Sequence, residues 1–474
     1  MRLFNRLTRQ VEDFHPLEPG HVRIYTCGPT VYSRPHIGNY RAFVFADLLR
    51  RSLEFEGYRV THVMNITDVG HLTVDDIADA AGVDKLERAA SELKVHPLDL
   101  ARKYEAMFHE DLATLHCLPA THYPRATDYV PGMIALIERL IDNGHAYVVD
   151  GNVYYDVSSF PAYGALSGNT VADLQAGASE RVDERHEKRR PEDFALWKHD
   201  PEHLLQWDSP WGSGFPGWHI ECSTMSMSLL GESFDIHTGG PDNMFPHHEC
   251  EIAQSEGATG KRFVQFWMYC GYLNFGDRKM SKSSGAVVNV PELVESGFSG
   301  ADIRYTMLTA HYRTPMAFDE TVLVSERGAR ARLDRFVNVE LPSRPEGPSN
   351  PEAVAAVEQF RSDFRAAIAD DLNTPQAIAA LHVLVRSINR LGVNAVDANA
   401  ALAAVREADT VLAVLEHSEE DELAEQAQAL LDRREIARRD RDFATADAIR
   451  DELRALGIEI EDTDSGPRWR RITD

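Results

Sequence analysis

The sequence predicts an α/β fold: a doubly wound parallel, Rossmann-like nucleotide-binding sheet with an insertion domain, then an α-helical bundle and a small C-terminal α+β domain. Three observations predict it. A strand, a glycine-containing loop and a helix follow one another at residues 22–56 and again at 233–256. Between them, from about 120 to 215, turn residues and charge replace that alternation. Beyond residue 320 the pattern is largely helical.

The first strand is Val22-Arg23-Ile24-Tyr25, an alternating, half-buried pattern. Its helix runs from Arg41 to about Glu56, with Phe43, Phe45, Leu48, Leu49 and Leu53 near one face, and Gly57 stops it. Arg59 to Ile66 reads as the second strand. Residues 85–115 are helical, with Pro97 suited to a first turn. A helix from about Tyr129 to Asp142 precedes a hairpin in which Asp150-Gly151 joins Tyr147-Val148-Val149 to Val153-Tyr154-Tyr155. Ser233 to His237 restores the strand pattern, and a helix from about Phe245 to Glu256 follows. Helices are expected at 320–338, 351–370, 374–392, 396–416 and from Thr445 to Leu456, the last followed by Ile458-Glu459-Ile460. Prolines 342, 345, 348 and 351 mark one linker and the acidic run Glu416 to Glu425 another. The expected divisions are 1–120 and 216–270 for the two halves of the sheet, 121–215 for the insertion, 271–320 for a loop region, 321–417 for the bundle and 418–474 for the terminal domain.

At 474 residues, two to four domains are expected. A hydrophobic share of 43% and a charged share of 26% suit a soluble globular protein. Charges at Arg2 and Arg6 interrupt any leader-like run, and no stretch reaches membrane-spanning length. Five scattered cysteines, at 27, 117, 222, 250 and 270, make no disulfide framework, so a reducing cytoplasm is expected. The net charge of −26 argues against general coating of nucleic acid, but not against a local grip on one RNA, because phosphate contacts depend on nearby charge. Basic clusters exist at Lys188-Arg189-Arg190, at Arg327, Arg330, Arg332 and Arg335, and at Arg468, Arg470 and Arg471 around Trp469; each reads first as a solvated face.

The loop after the first strand ends in His36-Ile37-Gly38-Asn39, at a helix mouth where unpaired N–H groups and the dipole favour phosphate. Gly38 lets the backbone approach a ligand, and His36 aims an imidazole at it. These four residues resemble the HIGH signature of class I aminoacyl-tRNA synthetases. Cys27-Gly28-Pro29-Thr30-Val31-Tyr32 resembles the cysteinyl-tRNA synthetase form of the preceding loop, and the resemblance runs over nearly all of the chain. It departs at Asn39, which keeps a donor but not the cationic form of histidine. It departs again at Val69-Gly70-His71, a loop given no role.

Lys279-Met280-Ser281-Lys282-Ser283 brings two ammonium groups near one anion and is similar to the KMSKS loop of the same class. The resemblance implies that His36, Asn39, Lys279 and Lys282 are catalytic, the lysines stabilising charge on a departing pyrophosphate. No general base is needed, because a carboxylate is already a nucleophile. Gly38, His237, Gly239, Gly240, Asp242 and Lys282 are the implied ATP-binding residues, with Asp242 accepting from a ribose hydroxyl; a tight turn without a ligand is the plain alternative for the second glycine loop. Trp218 and Thr67 are expected at the substrate, although a Trp beside Gly217 also suits a simple core.

His247 and Glu251 are four residues apart and share a helix face, which by itself is more often a surface pair. In the family resembled, the positions matching Cys27, Cys222, His247 and Glu251 bind one Zn²⁺, a mixture that suits tetrahedral zinc. A substrate thiolate can join such a metal where a serine hydroxyl cannot do so well. Cys250, where the family usually has asparagine, lies on roughly the same face and stands as a lesser candidate ligand. The resemblance implies a monomer that uses ATP, with Mg²⁺, to activate L-cysteine and transfer it to the 3′ end of tRNA(Cys). A cysteine:amino-sugar ligase with the same core is the nearest rival; it would lack most of the C-terminal third, where Asp370 to Pro375 and Arg441 to Asp447 resemble tRNA-contacting segments. A non-catalytic tRNA-binding paralogue is a third reading, and it would have lost a signature lysine or a zinc ligand.

Overall fold

The computed structural model describes residues 1–74, 81–169, 188–275, 278–279, 288–416, 430–431, 433–434, 437–438, 442–456, 458–463 and 466–471. They form two compact units, Met1–Val414 and Leu415–Asp474.

The first unit is built on four parallel strands. His21–Thr26 pairs with Arg59–Met64 on one side and with Phe234–Gly239 on the other, and Val264–Tyr269 lies beyond. The chain moves outward from its first strand in one direction and then returns to that strand's other flank. The reversal makes a switch point between His21–Thr26 and Phe234–Gly239, and sheets of this kind bind ligands beyond the carboxyl ends of such strands.

The lead helix spans Ile37–Phe55, one turn earlier than its apolar pattern indicates. His36 takes the extended N-cap conformation, and Asn39 Oδ1 accepts its backbone N–H at 3.1 Å. That cap starts the helix before the first periodic apolar residue. Buried Arg41 ties the helix to the carbonyl oxygens of Tyr272 and Thr314, both at 2.6 Å.

The insertion carries a four-stranded antiparallel sheet of Gly214–Pro216, Phe194–His199, Asn152–Tyr155 and Ala146–Val149. Its hairpin turns at Asp150 and Gly151, with φ of 48° and 85°, the left-handed pair that matches strand twist. One core runs from this sheet (Tyr155, Phe194 and Trp197) to Tyr25, Cys27 and Cys222. The insertion therefore braces the switch point.

Helices Glu320–Arg335, Pro351–Ala369, Thr374–Leu391 and Ala395–Leu412 make up the helical region. Arg330 is buried there, 2.7 Å from Asp302 and 2.6 Å from Asp334, so it is a packing residue. In the second unit, helix Phe443–Ala455 precedes an antiparallel pair, Ile458–Thr463 and Gly466–Arg471, around buried Leu430, Leu431, Ile449, Leu453 and Ile458. Of the acidic run, residues 417–425 lie outside the described residues. Among the described residues no helix is long and apolar enough to cross a membrane.

Candidate active site and metal centre

Cys27 follows directly on the first strand, where Gly28 lets the chain pass against its neighbour. A Cβ on Gly28 would lie 1.7 Å from the carbonyl oxygen of Asn65. Cys222 sits on the buried helix Trp218–Leu230, which starts at Gly217, where a Cβ would lie 2.2 Å from the Ala195 carbonyl oxygen. Glu251 lies in the first turns of Glu249–Thr259 and His247 just before it. Cys27, Cys222, His247 and Glu251 all have their donor atoms within 4.8 Å of one another. Cys27, His237, His248 and Glu251 form an overlapping group by the same measure.

Hydrogen bonds orient these donors. His247 Nε2 lies 3.1 Å from Glu251 Oε1, while its Nδ1 meets His219 Nδ1 at 2.9 Å. The other carboxylate oxygen, Oε2, lies 3.0 Å from His237 Nε2. Ring nitrogens held in this way from behind are what a metal-binding imidazole needs. His248 reaches Cys27 Sγ at 3.1 Å and Tyr269 Oη at 2.6 Å.

The electrostatics call for positive charge. Burial would push the Cys222 thiol up, but the hydrogen bond from Cys27 and the neighbouring His247 lower it to about 6. Burial would lower His247, yet Cys222 and Glu251 raise it to about 10. His237 and His247 likewise outweigh burial at Glu251 and hold its carboxyl well below the usual range. A divalent cation satisfies the same thiolate and carboxylate, and two sulfurs, a nitrogen and an oxygen fit a borderline-soft metal.

Of the other sequence-derived residues, Trp218 and His237 lie against this cluster. Trp218 is sandwiched between His247, with centroids 4.3 Å apart, and His71, with centroids 4.1 Å apart and planes 11° apart. Sequence reasoning gave the Val69-Gly70-His71 loop no role, yet His71 Nδ1 lies 2.5 Å from Thr30 Oγ1 and its Nε2 lies 3.0 Å from Lys85 Nζ. No sequence signal marked it. Thr67 is buried and donates to Glu221 Oε2 at 3.0 Å. His237 is fully buried and stacks on Trp267, with its Nε2 on Glu251, so its imidazole serves the cluster rather than the glycine loop. That loop is capped like the first one, with Gly240 N–H donating to Asn243 Oδ1 at 2.8 Å. Asp242 is exposed and takes a hydrogen bond from Tyr272 Oη at 2.7 Å. His36 and Gly38 are partly exposed at the helix mouth, where the Ile37 N–H donates to Val288 O at 2.9 Å. The backbone of Lys279 pairs with Asn274; its side chain and residues 280–287, including Lys282, lie outside the described residues.

Cys250 belongs to neither donor group and meets Tyr163 Oη at 3.3 Å. A Cys250→Ser variant is therefore expected to bind as much metal as the unsubstituted chain by atomic absorption, whereas an empty site would make Cys250 a ligand.

Comparison with known proteins places this geometry in a class. The family model of the class I (C) tRNA synthetase catalytic domain matches residues 13–327. A methionyl-tRNA synthetase of Mycobacterium tuberculosis bound to methionyl-adenylate shares the fold at a TM-score of 0.60, with 14% identity over 86% of this chain and 94% of that one. The architecture is that of a class I aminoacyl-tRNA synthetase. Models of the DALR domain and of the cysteinyl-tRNA ligase anticodon binding domain match 363–416 and 420–470. Cysteine–tRNA ligases of Symbiobacterium thermophilum and Alkalilimnicola ehrlichii are 44% and 46% identical, each over 99% of this chain and 99% and 100% of theirs. Within the class, the chain belongs to the cysteine–tRNA ligase family.

Proposed function

We propose that the chain activates L-cysteine with ATP and transfers it to the 3′ end of tRNA(Cys), with Zn²⁺ held by Cys27, Cys222, His247 and Glu251. The observation that carries this reading is the convergence of those four donors within 4.8 Å at the switch point. This set is preferred to the one with His237 and His248 because it brings both thiols to one ion, and because His237 and His219 then act as outer partners of Glu251 and His247. A zinc ion bound there supplies a soft Lewis acid for the substrate thiol. A site that reads one atom through a directional bond can reject serine without an editing step.

Trp218, fixed between two imidazoles, forms a wall beside His247. The carboxylate of cysteine attacks the α-phosphorus of ATP and pyrophosphate leaves, followed by attack of the terminal ribose hydroxyl on the adenylate carbonyl and release of AMP. His36 and Gly38 at the mouth of the lead helix face the phosphates, Gly239 and Gly240 line the nucleotide, Asp242 accepts from its ribose, and Mg²⁺ accompanies ATP. Lys279 and Lys282 neutralise the departing pyrophosphate. Asn39, whose oxygen is engaged in the cap, acts by holding His36.

Five free buried thiols support a reducing, cytoplasmic setting, and a donor set complete within one chain supports a monomer. The match over 420–470 favours the tRNA-dependent reading over an amino-sugar ligase. Cysteine-dependent pyrophosphate exchange, measured with tRNA added or omitted, tests the assignment. Exchange with cysteine followed by cysteinylation of tRNA is expected; exchange without aminoacylation of any tRNA would favour the rival. Removing one cation from the transition state by Lys282→Ala should slow adenylation roughly 10²–10³-fold in single-turnover assays. An unchanged rate would take that lysine out of the mechanism.

A further inference from the structure

A chain of hydrogen bonds links the residue after one thiol to the residue before the other. Gly28 N–H donates to Asn65 Oδ1 at 2.9 Å, which turns the amide nitrogen of Asn65 toward Thr67. Asn65 Nδ2 then donates to Thr67 Oγ1 at 3.1 Å, and the Thr67 hydroxyl donates to Glu221 Oε2 at 3.0 Å. Glu221 is wholly buried, and its Oε1 has no hydrogen-bond partner among the described residues. That oxygen lies under Gly70, whose φ is +78° and where a Cβ would be 3.0 Å from it. Thr67 itself is pinned to the loop after Cys27, with its N–H on Pro29 O and its carbonyl on Val31 N–H, both at 3.1 Å.

A hydroxyl has one proton and two lone pairs. In Thr67 the proton is committed to Glu221 and one lone pair to Asn65. Only a lone pair remains, and it can meet only a hydrogen-bond donor. Cysteine bound by its sulfur carries one strong donor, the α-ammonium; its carboxylate has none to offer. Resting on the substrate reading above, we propose that Glu221 is a positioning residue that fixes the Thr67 hydroxyl as an acceptor for the substrate α-ammonium. Oε2 accepts whether or not a proton sits on Oε1, so an acceptor oxygen, rather than a net charge, is what Thr67 requires.

The test compares L-cysteine with 3-mercaptopropionate, which has the same thiol and carboxylate but no ammonium. With the metal-loaded full chain, Glu221→Leu is expected to weaken cysteine roughly tenfold, the size of one hydrogen bond to a charged group, as a rise in KM for cysteine without a rise in KM for ATP. The inhibition constant of 3-mercaptopropionate should not move. Glu221→Gln keeps an oxygen toward Thr67 and should restore wild-type binding of cysteine. Thr67→Val, which alters no residue beside a thiol ligand, should reproduce the selective loss should Glu221→Leu fail to fold. Equal weakening of both ligands, no weakening of cysteine, or a Gln variant as poor as the Leu variant would overturn the proposal. Wild-type cysteine-dependent exchange is the prior control: its absence removes the proposed function itself, whereas the contrast between ligands tests only Glu221 and Thr67.

Discussion

Replacing Cys222 with serine should empty the metal site and lower cysteine activation by at least roughly 10³-fold, since loss of outer partners alone costs such sites about 10–100-fold. The fold should survive, because the substitution removes one sulfur from a helix buried on nearly every side, in a region already rich in Ser223, Thr224 and Ser226. Zinc content by atomic absorption, circular dichroism and pyrophosphate exchange read the three consequences separately. Full zinc with full activity in this variant would exclude Cys222 as a ligand and favour the set containing His237 and His248. His248→Gln is the matching control; it should retain zinc.

The largest expected loss of stability lies away from the site. Arg304 is fully buried and reaches Asp47 Oδ2 at 2.5 Å, the carbonyl of Leu412 at 2.6 Å and that of Leu115 at 3.2 Å. It thereby joins the lead helix to Gly300–Leu308 and Ala395–Leu412. Removing one partner of a buried pair strands the other, so Arg304→Met should cost about 3–5 kcal/mol in denaturant unfolding at pH 7. Burial would raise the Asp47 carboxyl, but Arg304 and Arg51 outweigh it and hold it below its ordinary value of 3.8. A depressed folded value means stability that is present above the unfolded pKa and lost as pH falls through the folded one. The deficit of the variant should therefore shrink as pH drops below about 4. A deficit under about 1 kcal/mol at pH 7 would show that Arg51 alone neutralises Asp47.

How legible the molecule was in its sequence depended on periodicity. The lead helix, the Asp150-Gly151 hairpin and the four long helices before residue 415 announce themselves through apolar spacing, turn residues and caps. The strand Val264–Tyr269 did not, since Val-Gln-Phe-Trp-Met-Tyr is an almost uninterrupted apolar run buried on both faces and lacks the alternation of a half-exposed strand. Helix Trp218–Leu230 was hidden for the opposite reason: its Ser, Thr, Glu and Met side chains are buried nearly all round, leaving no polar face to set a period. At the site, the four-residue spacing of His247 and Glu251 could be read directly. Bringing Cys27 and Cys222 to them took a resemblance, because the strand order that unites them is a long-range property. Neither the inward turn of His237 toward Glu251 nor the stacking of His71 on Trp218 has a signature in the residues alone. Both follow from side-chain direction at the end of a packed sheet.

Zinc K-edge X-ray absorption of the purified protein, recorded alone, with L-cysteine and with L-serine, tests the central claim most directly. Two sulfur neighbours per zinc should become three when cysteine is added and stay at two with serine. A count that remains at two in the presence of saturating cysteine would contradict recognition of the substrate through its sulfur.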